Sequence, residues 1–216
     1  MNIKLLRKEE QSAGMWAGGT TTQLAIWPPE SDYKRRDFLW RVSTARVDLK
    51  ESVFTYLPGF HRFLMILEGE VRLTYKGRRK AVLGPFGQDE FEGDWTTISR
   101  GRCVDFNLMT APGCEGRLTA LPPVPGEAAF DLFAPLDEER KLFSQIIEAV
   151  YCLRPGVLAR VREGDEKSFE AVLEQGDFLL LQLLASHENS GTPRAFFGNV
   201  DGDLPWGVRA TIKQRV

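Results

Sequence analysis

The chain contains 216 residues, of which 43% are hydrophobic and 27% charged, a composition typical of a soluble globular protein with a sizeable core. Its formal net charge of −2 excludes a general positive field for nucleic acid, and three cysteines without a C-x-x-C pair do not indicate a disulfide framework or zinc site. Apolar runs such as Phe178 to Leu181 are far shorter than the ~20 residues of a membrane-spanning helix, and no signal peptide is visible. We therefore expect a cytoplasmic protein.

The first half of the chain predicts short strands separated by turns. Valine, isoleucine, threonine and aromatic residues dominate these segments, and clusters of Gly, Pro and Asp bound them. The predicted strands are Thr20 to Trp27, Phe38 to Asp48, Arg62 to Leu67, Val71 to Tyr75, Ala81 to Leu83, Trp95 to Ser99 and Arg102 to Leu108.

A joint between two domains is predicted at Leu121 to Pro135, a segment with four prolines and a glycine. A short helix beginning at Asp137 and then a strand ending at Leu153 are expected next. The later predicted strands are Gly156 to Arg162, Phe169 to Leu173, Phe178 to Leu184, Ala195 to Phe197 and Val208 to Lys213. So many short strands indicate an all-β barrel or sandwich with little helix. The expected domains are residues 1–121 and 122–216, packed as one compact body, and strand exchange between them is left open.

The stretch from Pro58 to Glu70 carries the most information about function. A turn at Pro58-Gly59 leads into a buried apolar strand, and a second turn precedes the strand that begins at Val71. This layout is typical of a small β-barrel with a ligand site at its mouth. The polar residues at the entrance of the strand are His61 and Arg62.

Four segments, which together cover roughly residues 10 to 113, resemble the HutD/Ves family of bacterial proteins. The segments are Trp16-Ala17-Gly18-Gly19-Thr20-Thr21-Thr22, Phe38-Leu39-Trp40-Arg41-Val42-Ser43-Thr44-Ala45, Phe54 to Arg62 running into Leu67-Glu68-Gly69, and Phe91-Glu92-Gly93 followed by Asp105-Phe106-Asn107-Leu108-Met109. The resemblance implies a cupin-type double-stranded β-helix with two barrels in tandem, a bicupin. It also implies a role in histidine utilisation through binding of formylglutamate or a related small acid, without catalysis.

Metal-binding cupins place a His-x-His pair and a carboxylate where this chain has His61 followed by Arg62. We therefore expect no metal and no other cofactor. Recognition of an anion is the alternative that the arginine favours, because a guanidinium offers paired donors that match a carboxylate and stays charged.

Arg62 is the first candidate for ligand binding, predicted at a barrel rim, and its structural alternative is an ion pair with Asp105 or Glu68. Asp105 and Asn107 alternate with apolar residues along one strand, so both are expected to project into the cavity if the apolar face packs outward. A solvated strand face is the alternative for this pair.

Further candidates lie on two other segments. Arg41 and Ser43 share a strand face and are a second anion contact or a structural tie between strands. Trp16 is expected to form a wall or lid, and the glycines before Thr20 let backbone N–H groups approach a ligand. A tight structural turn is the alternative interpretation of this loop. His61 completes the predicted ligand-binding set.

The sequence thus predicts non-enzymatic binding of a small anionic metabolite. The alternative is a metal-independent isomerase or lyase acting on a small carboxylic acid, with Asp105 or Glu92 as base and Arg62 as clamp. A buried carboxylate with a shifted pKa opposite Arg62 favours catalysis, and a solvated one favours plain binding. The expected partner is a small carboxylate such as formylglutamate, with no nucleic acid and no membrane, and a homodimer is left open.

Overall fold

The computed structural model of the protein describes residues 1–130, 142–163, 166–184 and 193–215. In this part of the chain nearly all regular structure is strand, and the helix whose bounds are described is a 3₁₀ turn at Lys8–Glu10. The all-β prediction with little helix is therefore confirmed, while the helix expected at Asp137 lies outside the described residues. None of the described helices is long and apolar enough to cross a membrane.

Nineteen strands occur in the described residues, and their bounds follow in chain order. They are β1 (Asn2–Leu6), β2 (Ala13–Trp16), β3 (Gly19–Trp27), β4 (Trp40–Val47), β5 (Glu51–Val53), β6 (His61–Gly69), β7 (Val71–Tyr75), β8 (Lys80–Leu83), β9 (Gln88–Glu92), β10 (Thr97–Arg100), β11 (Cys103–Thr110), β12 (Cys114–Leu121), β13 (Val124–Phe130), β14 (Phe143–Cys152), β15 (Val157–Glu163), β16 (Glu166–Leu173), β17 (Phe178–Leu184), β18 (Arg194–Val200) and β19 (Gly207–Arg215).

The chain divides into two compact units. Unit N consists of Gln11–Leu118, and unit C combines Met1–Glu10 with Thr119–Val216. The predicted boundary after residue 121 lies three residues beyond this division. The segment predicted as a joint contains strand β13, because Val124–Phe130 pairs with β18 in spite of Pro125.

Unit N is built from two sheets. The first has the spatial order β2-β3-β4-β11-β6-β9, and the second has the order β5-β10-β7-β8. Apolar side chains from both sheets meet in one core, which includes Ile66 and Leu73. The turn from β6 to β7 requires glycine, since Gly69 has φ +83° and a Cβ there would lie 2.3 Å from the Arg102 carbonyl oxygen.

Unit C repeats this two-sheet construction. One sheet has the order β1-β17-β14-β19-β12 and the other has the order β13-β18-β15-β16, with a shared apolar core that includes Val150, Ala159 and Trp206. Strand β12 crosses the division after Leu118. In both units the described sheets are open, with an edge strand on each side. The closed two-barrel arrangement is therefore not confirmed.

Strand β1 belongs to unit C although it is the first strand in the sequence. It pairs antiparallel with β17, and Ile3 and Leu5 pack against the core of this unit. Asp177, at the turn before β17, accepts hydrogen bonds from the Arg7 guanidinium at 2.6 Å and from the Lys8 backbone N–H at 3.1 Å. These contacts join the first ten residues to β17 and the turn before it, an exchange that the local sequence pattern did not specify.

Candidate ligand-binding site in unit N

The larger sheet of unit N carries polar side chains in rows on the face that points toward the smaller sheet. Residues paired across an antiparallel sheet project to the same side, so strand register decides which side chains meet. One row joins Gln23, Ser43 and Asn107 from β3, β4 and β11, and the next joins Arg41, Met109 and Arg62 from β4, β11 and β6.

These rows line a cavity of about 580 Å³ inside unit N. Trp16 and Phe54 contribute apolar wall, and Tyr33 enters from the segment before β4. The charged side chains among the described lining residues are Lys34, Arg41, Arg62 and Asp105. Three cations and one carboxylate give the cavity a positive balance within a chain of formal net charge −2, and such a cavity attracts anions.

Arg62 is the most unusual group in this cavity. It is only 7% exposed and lies between the rings of Phe54 and Phe91, at 4.8 and 5.2 Å from their centroids. Its Nε has no hydrogen-bond partner, and no carboxylate of the described residues lies within ion-pair distance of its guanidinium. Burial lowers the pKa of Arg62, against the attraction of Asp105.

The structure thereby corrects the predicted position of Arg62 and tests its structural alternative. The guanidinium was expected at a barrel rim, but the side chain is almost fully enclosed, because the rings of Phe54 and Phe91 cover it. Direct ion pairs with Asp105 or Glu68 were the alternative to ligand binding, and neither forms among the described contacts.

Asp105 and Asn107 project into the cavity together, on the strand face that the alternation of β11 predicted. The Asn107 side-chain amide donates to Asp105 Oδ1, and Cys103 Sγ lies 3.9 Å from Oδ2. Asp105 is 4% exposed. This burial raises the pKa of Asp105 to about 7, although Arg62 and the hydrogen bonds oppose the rise.

Arg41 and Ser43 are also buried at the cavity. Arg41 donates from Nε to Gln23 Oε1 at 2.9 Å and from Nη1 to Ser43 Oγ at 3.0 Å, and its guanidinium lies over the Tyr33 ring at 4.5 Å. Desolvation lowers the pKa of Arg41. The hydrogen bonds to Gln23 and Ser43 fix the orientation of the Arg41 guanidinium. Both partners are neutral, so they do not compensate its positive charge.

The predicted residues Trp16, Thr20 and His61 fall in different places. Trp16 lines the cavity and is 42% exposed, with its ring so close to Gly18 that a Cβ there would approach the indole to 1.9 Å. Thr20 pairs with Arg46 on the opposite face of the sheet and does not line the cavity.

His61 likewise lies outside the cavity lining. Alternation along β6 turns its ring away from the side that Arg62 faces, and the ring contacts Glu92 at 2.8 Å and Glu90 at 3.2 Å near the surface. The candidate site therefore contains Arg62, Asp105, Asn107, Arg41, Ser43 and Trp16 from the predicted set.

The lining residues that were not singled out from the sequence as site candidates include Gln23, Phe54 and Tyr33. Gln23 and Phe54 stand in or beside the family segments, so alternation from Thr21 and from the Arg62 motif could have located them. Tyr33 comes from an irregular segment, and no periodicity marks its direction.

The donor set does not fit a resident metal ion of the cupin type. Among the described residues, no three His, Cys, Asp or Glu side chains come together as a candidate metal site. The described cavity lining offers one carboxylate and no imidazole, and Arg41 and Arg62 line the same space. Repulsion from two guanidinium groups opposes a cation there.

Comparison with known proteins identifies the family. The HutD family model matches residues 8–134, which is more than half of the chain. The chain belongs to the HutD family. This confirms the resemblance inferred from its sequence segments. No curated protein matches the chain.

Solved structures share the fold of this HutD-family chain. A conserved protein of unknown function from Pseudomonas aeruginosa aligns with a TM-score of 0.73 and 22% identity, covering 100% of both chains. HutD from Pseudomonas fluorescens, in a formate condition, aligns with a TM-score of 0.66 and 20% identity over 100% of both chains. The pirin YhhW from Escherichia coli, in complex with nickel(II), has a TM-score of 0.61 and 8% identity over 99% of each chain. At these identities the likeness establishes the fold alone.

Proposed function

We propose that unit N binds a small carboxylate-bearing metabolite in its cavity, with Arg62 contacting the ligand carboxylate. The observation that carries this proposal is the enclosed guanidinium of Arg62, whose Nε has no partner in the protein. Buried polar groups are normally satisfied, and leaving a donor unpaired costs about 1–3 kcal/mol. A ligand carboxylate satisfies the guanidinium through two parallel hydrogen bonds and neutralises its charge.

The other cavity residues have distinct parts in this proposal. Arg41, held by Gln23 and Ser43, supplies a second positive charge for a further anionic or polar group of the ligand. Asn107 orients an amide or hydroxyl group, and the Trp16 ring closes the mouth as a wall or lid. Thr20 and His61 have no part in it because they do not line the cavity.

Family membership supports a specific version of the proposal. In this version the ligand is formylglutamate or a similar dicarboxylate, and binding regulates histidine catabolism without chemical conversion. A tandem cupin arrangement, with one barrel in each unit, belongs to the same proposal. The cytoplasmic location and a homodimeric state stay predictions.

Thermal unfolding with a panel of small acids tests the proposal. N-formyl-L-glutamate, glutarate and formate are compared with glutaramide, which has the shape of glutarate without its charges. A ligand at a hundred times its Kd stabilises by about 2.7 kcal/mol, so we expect Tm to rise by about 5 °C or more. Arg62→Gln removes the charge and abolishes the rise, whereas Arg72→Gln, at an exposed position on β7, leaves it unchanged. The absence of any rise with wild-type protein and every acid contradicts the proposal.

A second candidate function is supported by the environment of Asp105. A carboxylate with a pKa of about 7, buried in the same cavity as Arg62, meets the condition that favours acid–base catalysis on a small carboxylic acid. Asp105 would move a proton at a carbon next to the ligand carbonyl, and Arg62 would hold the carboxylate. The test follows ligand protons by NMR in deuterated water. An enzyme exchanges or converts them, Asp105→Asn does not, and a plain binding protein leaves them unchanged.

A further inference from the structure

We infer that unit N takes up one proton when it binds its carboxylate ligand, and that Asp105 holds this proton against the ligand. The inference rests on the proposed function and specifies the form in which the ligand is held. Asp105 is the one carboxylate among the described residues that line the cavity, and it shares this space with Arg62 and Asn107.

The reason is the charge balance of the enclosed site. In the free protein, an ionised Asp105 offsets part of the charge of Arg62 without touching it, since no ion pair joins them within 4.0 Å. A ligand carboxylate on Arg62 adds a second negative charge to the same cavity. Two carboxylates in one desolvated site raise each other's pKa, so a ligand carboxylate favours the protonated form of Asp105. One proton therefore enters from solvent and lies between them.

The surrounding groups favour Asp105 as the holder of the proton. The Oδ1 atom accepts from the Asn107 amide, while the Oδ2 atom has only the weak Cys103 contact at 3.9 Å. A protonated Oδ2 can donate to a ligand oxygen. The charged or titratable groups around this position are Arg62 on β6, Arg41 on β4, Tyr33 and Lys34 in the segment before β4, Tyr75 on β7, and Cys103 on β11 itself.

Neighbouring acids do not supply the proton between pH 6 and 9. Burial raises the pKa of Cys103 to about 12, and burial also raises the pKa of Tyr75. Asp105, with a pKa of about 7 before ligand binds, is half ionised near neutrality. Ligand affinity is therefore expected to fall as pH rises above 7, because Asp105 is then mostly ionised and must take up a proton from solvent for the ligand to bind.

The test is binding of N-formyl-L-glutamate and glutarate measured by calorimetry across this range. If only the protonated form of Asp105 binds, Kd increases by about 30-fold between about pH 6 and about pH 8.5. Titrations in two buffers with different ionisation enthalpies count the protons directly. We expect about half a proton taken up near pH 7 and about one near pH 8.5.

Asp105→Asn assigns the proton to this residue. The asparagine amide donates permanently where the protonated carboxyl donates, so the variant is expected to bind at pH 8.5 about as tightly as wild type binds at pH 6. It is also expected to take up no proton. Asp48→Asn removes an exposed carboxylate of unit N outside the cavity and keeps the wild-type pH dependence.

Each outcome decides the inference. A wild-type Kd that stays constant with pH, or the absence of proton uptake, overturns the inference while the proposed binding function stands. Retention of the pH dependence in Asp105→Asn also overturns it, since the proton then resides elsewhere. If the variant does not fold, the proton count on wild type still decides whether uptake occurs. Absence of binding of either acid at every pH overturns both the inference and the proposed function.

Discussion

Asp105→Asn is expected to stabilise the ligand-free protein, and to do so more strongly as pH rises. The folded-state pKa of Asp105 is about 7 and its ordinary value is 3.8, because burial penalises the ionised form. A carboxyl whose folded pKa lies above its unfolded pKa opposes folding once it ionises. The penalty begins as pH rises above the unfolded value, grows until about pH 7, and is constant above that. Asparagine has the shape of the neutral acid and carries no such penalty.

The size of this effect follows from the difference of about three between the two pKa values. At 1.36 kcal/mol for each pKa unit, the gain in unfolding free energy is on the order of 2 kcal/mol at pH 5 and on the order of 4 kcal/mol at pH 8. Urea unfolding followed by tryptophan fluorescence measures this gain in unit N, which holds four of the five tryptophans. Arg62 contributes to the same balance, since its attraction keeps the pKa of Asp105 from rising further.

Asp89→Asn provides a control of opposite sign in the same unit. Burial acts to raise the pKa of Asp89, but hydrogen bonds from Arg79 at 2.6 Å and from the Tyr75 hydroxyl at 2.9 Å outweigh it and leave the pKa below its ordinary value. The asparagine variant is therefore expected to be less stable at neutral pH, with a deficit that shrinks in acid. Parallel pH curves for wild type and Asp105→Asn between pH 5 and pH 8 would refute the reasoning.

Two further predictions concern a glycine and a buried ion pair. Gly18→Ala places a Cβ 1.9 Å from the present position of the Trp16 ring, so the indole is expected to leave the cavity mouth, weaken ligand binding and shift its fluorescence. An unchanged emission spectrum and unchanged affinity would contradict this. Glu148→Ala leaves the Arg209 guanidinium without the carboxylate that it contacts at 2.6 and 2.7 Å, and is expected to cost about 3–5 kcal/mol in urea unfolding because Glu148 is only 1% exposed. Glu51→Ala, which breaks an exposed pair, is expected to cost about 1 kcal/mol or less, and equal losses in both variants would refute the distinction.

The site was predictable where it depends on strand alternation. The pattern from Cys103 to Met109 predicted that Asp105 and Asn107 share a face, and the structure places both side chains in the cavity. Arg41 and Ser43 follow the same rule on β4. Alternation is a local property with a period of two residues, so sequence alone expresses it.

The features that sequence did not reveal depend on long-range packing. The depth of Arg62 results from the rings of Phe54 and Phe91, which come from separate segments of unit N. Thr20 and His61 lie on the faces opposite the cavity, since strand register, which local composition does not encode, decides which face is enclosed. The strand in Val124–Phe130 was missed because its pairing with β18 overrides the turn tendency of Pro125 and Gly126.

The pairing of β1 with β17 has a consequence for how the protein is made. Arg7 and Asp177 are 170 positions apart, so the first strand leaves the ribosome long before the partner that completes its sheet. The residues of unit N are contiguous in sequence, so this unit can fold before β17 has been synthesised. During that time Ile3 and Leu5 belong to a strand without its partner. Substitutions in β1 are therefore expected to act on unit C, most of which is synthesised after unit N.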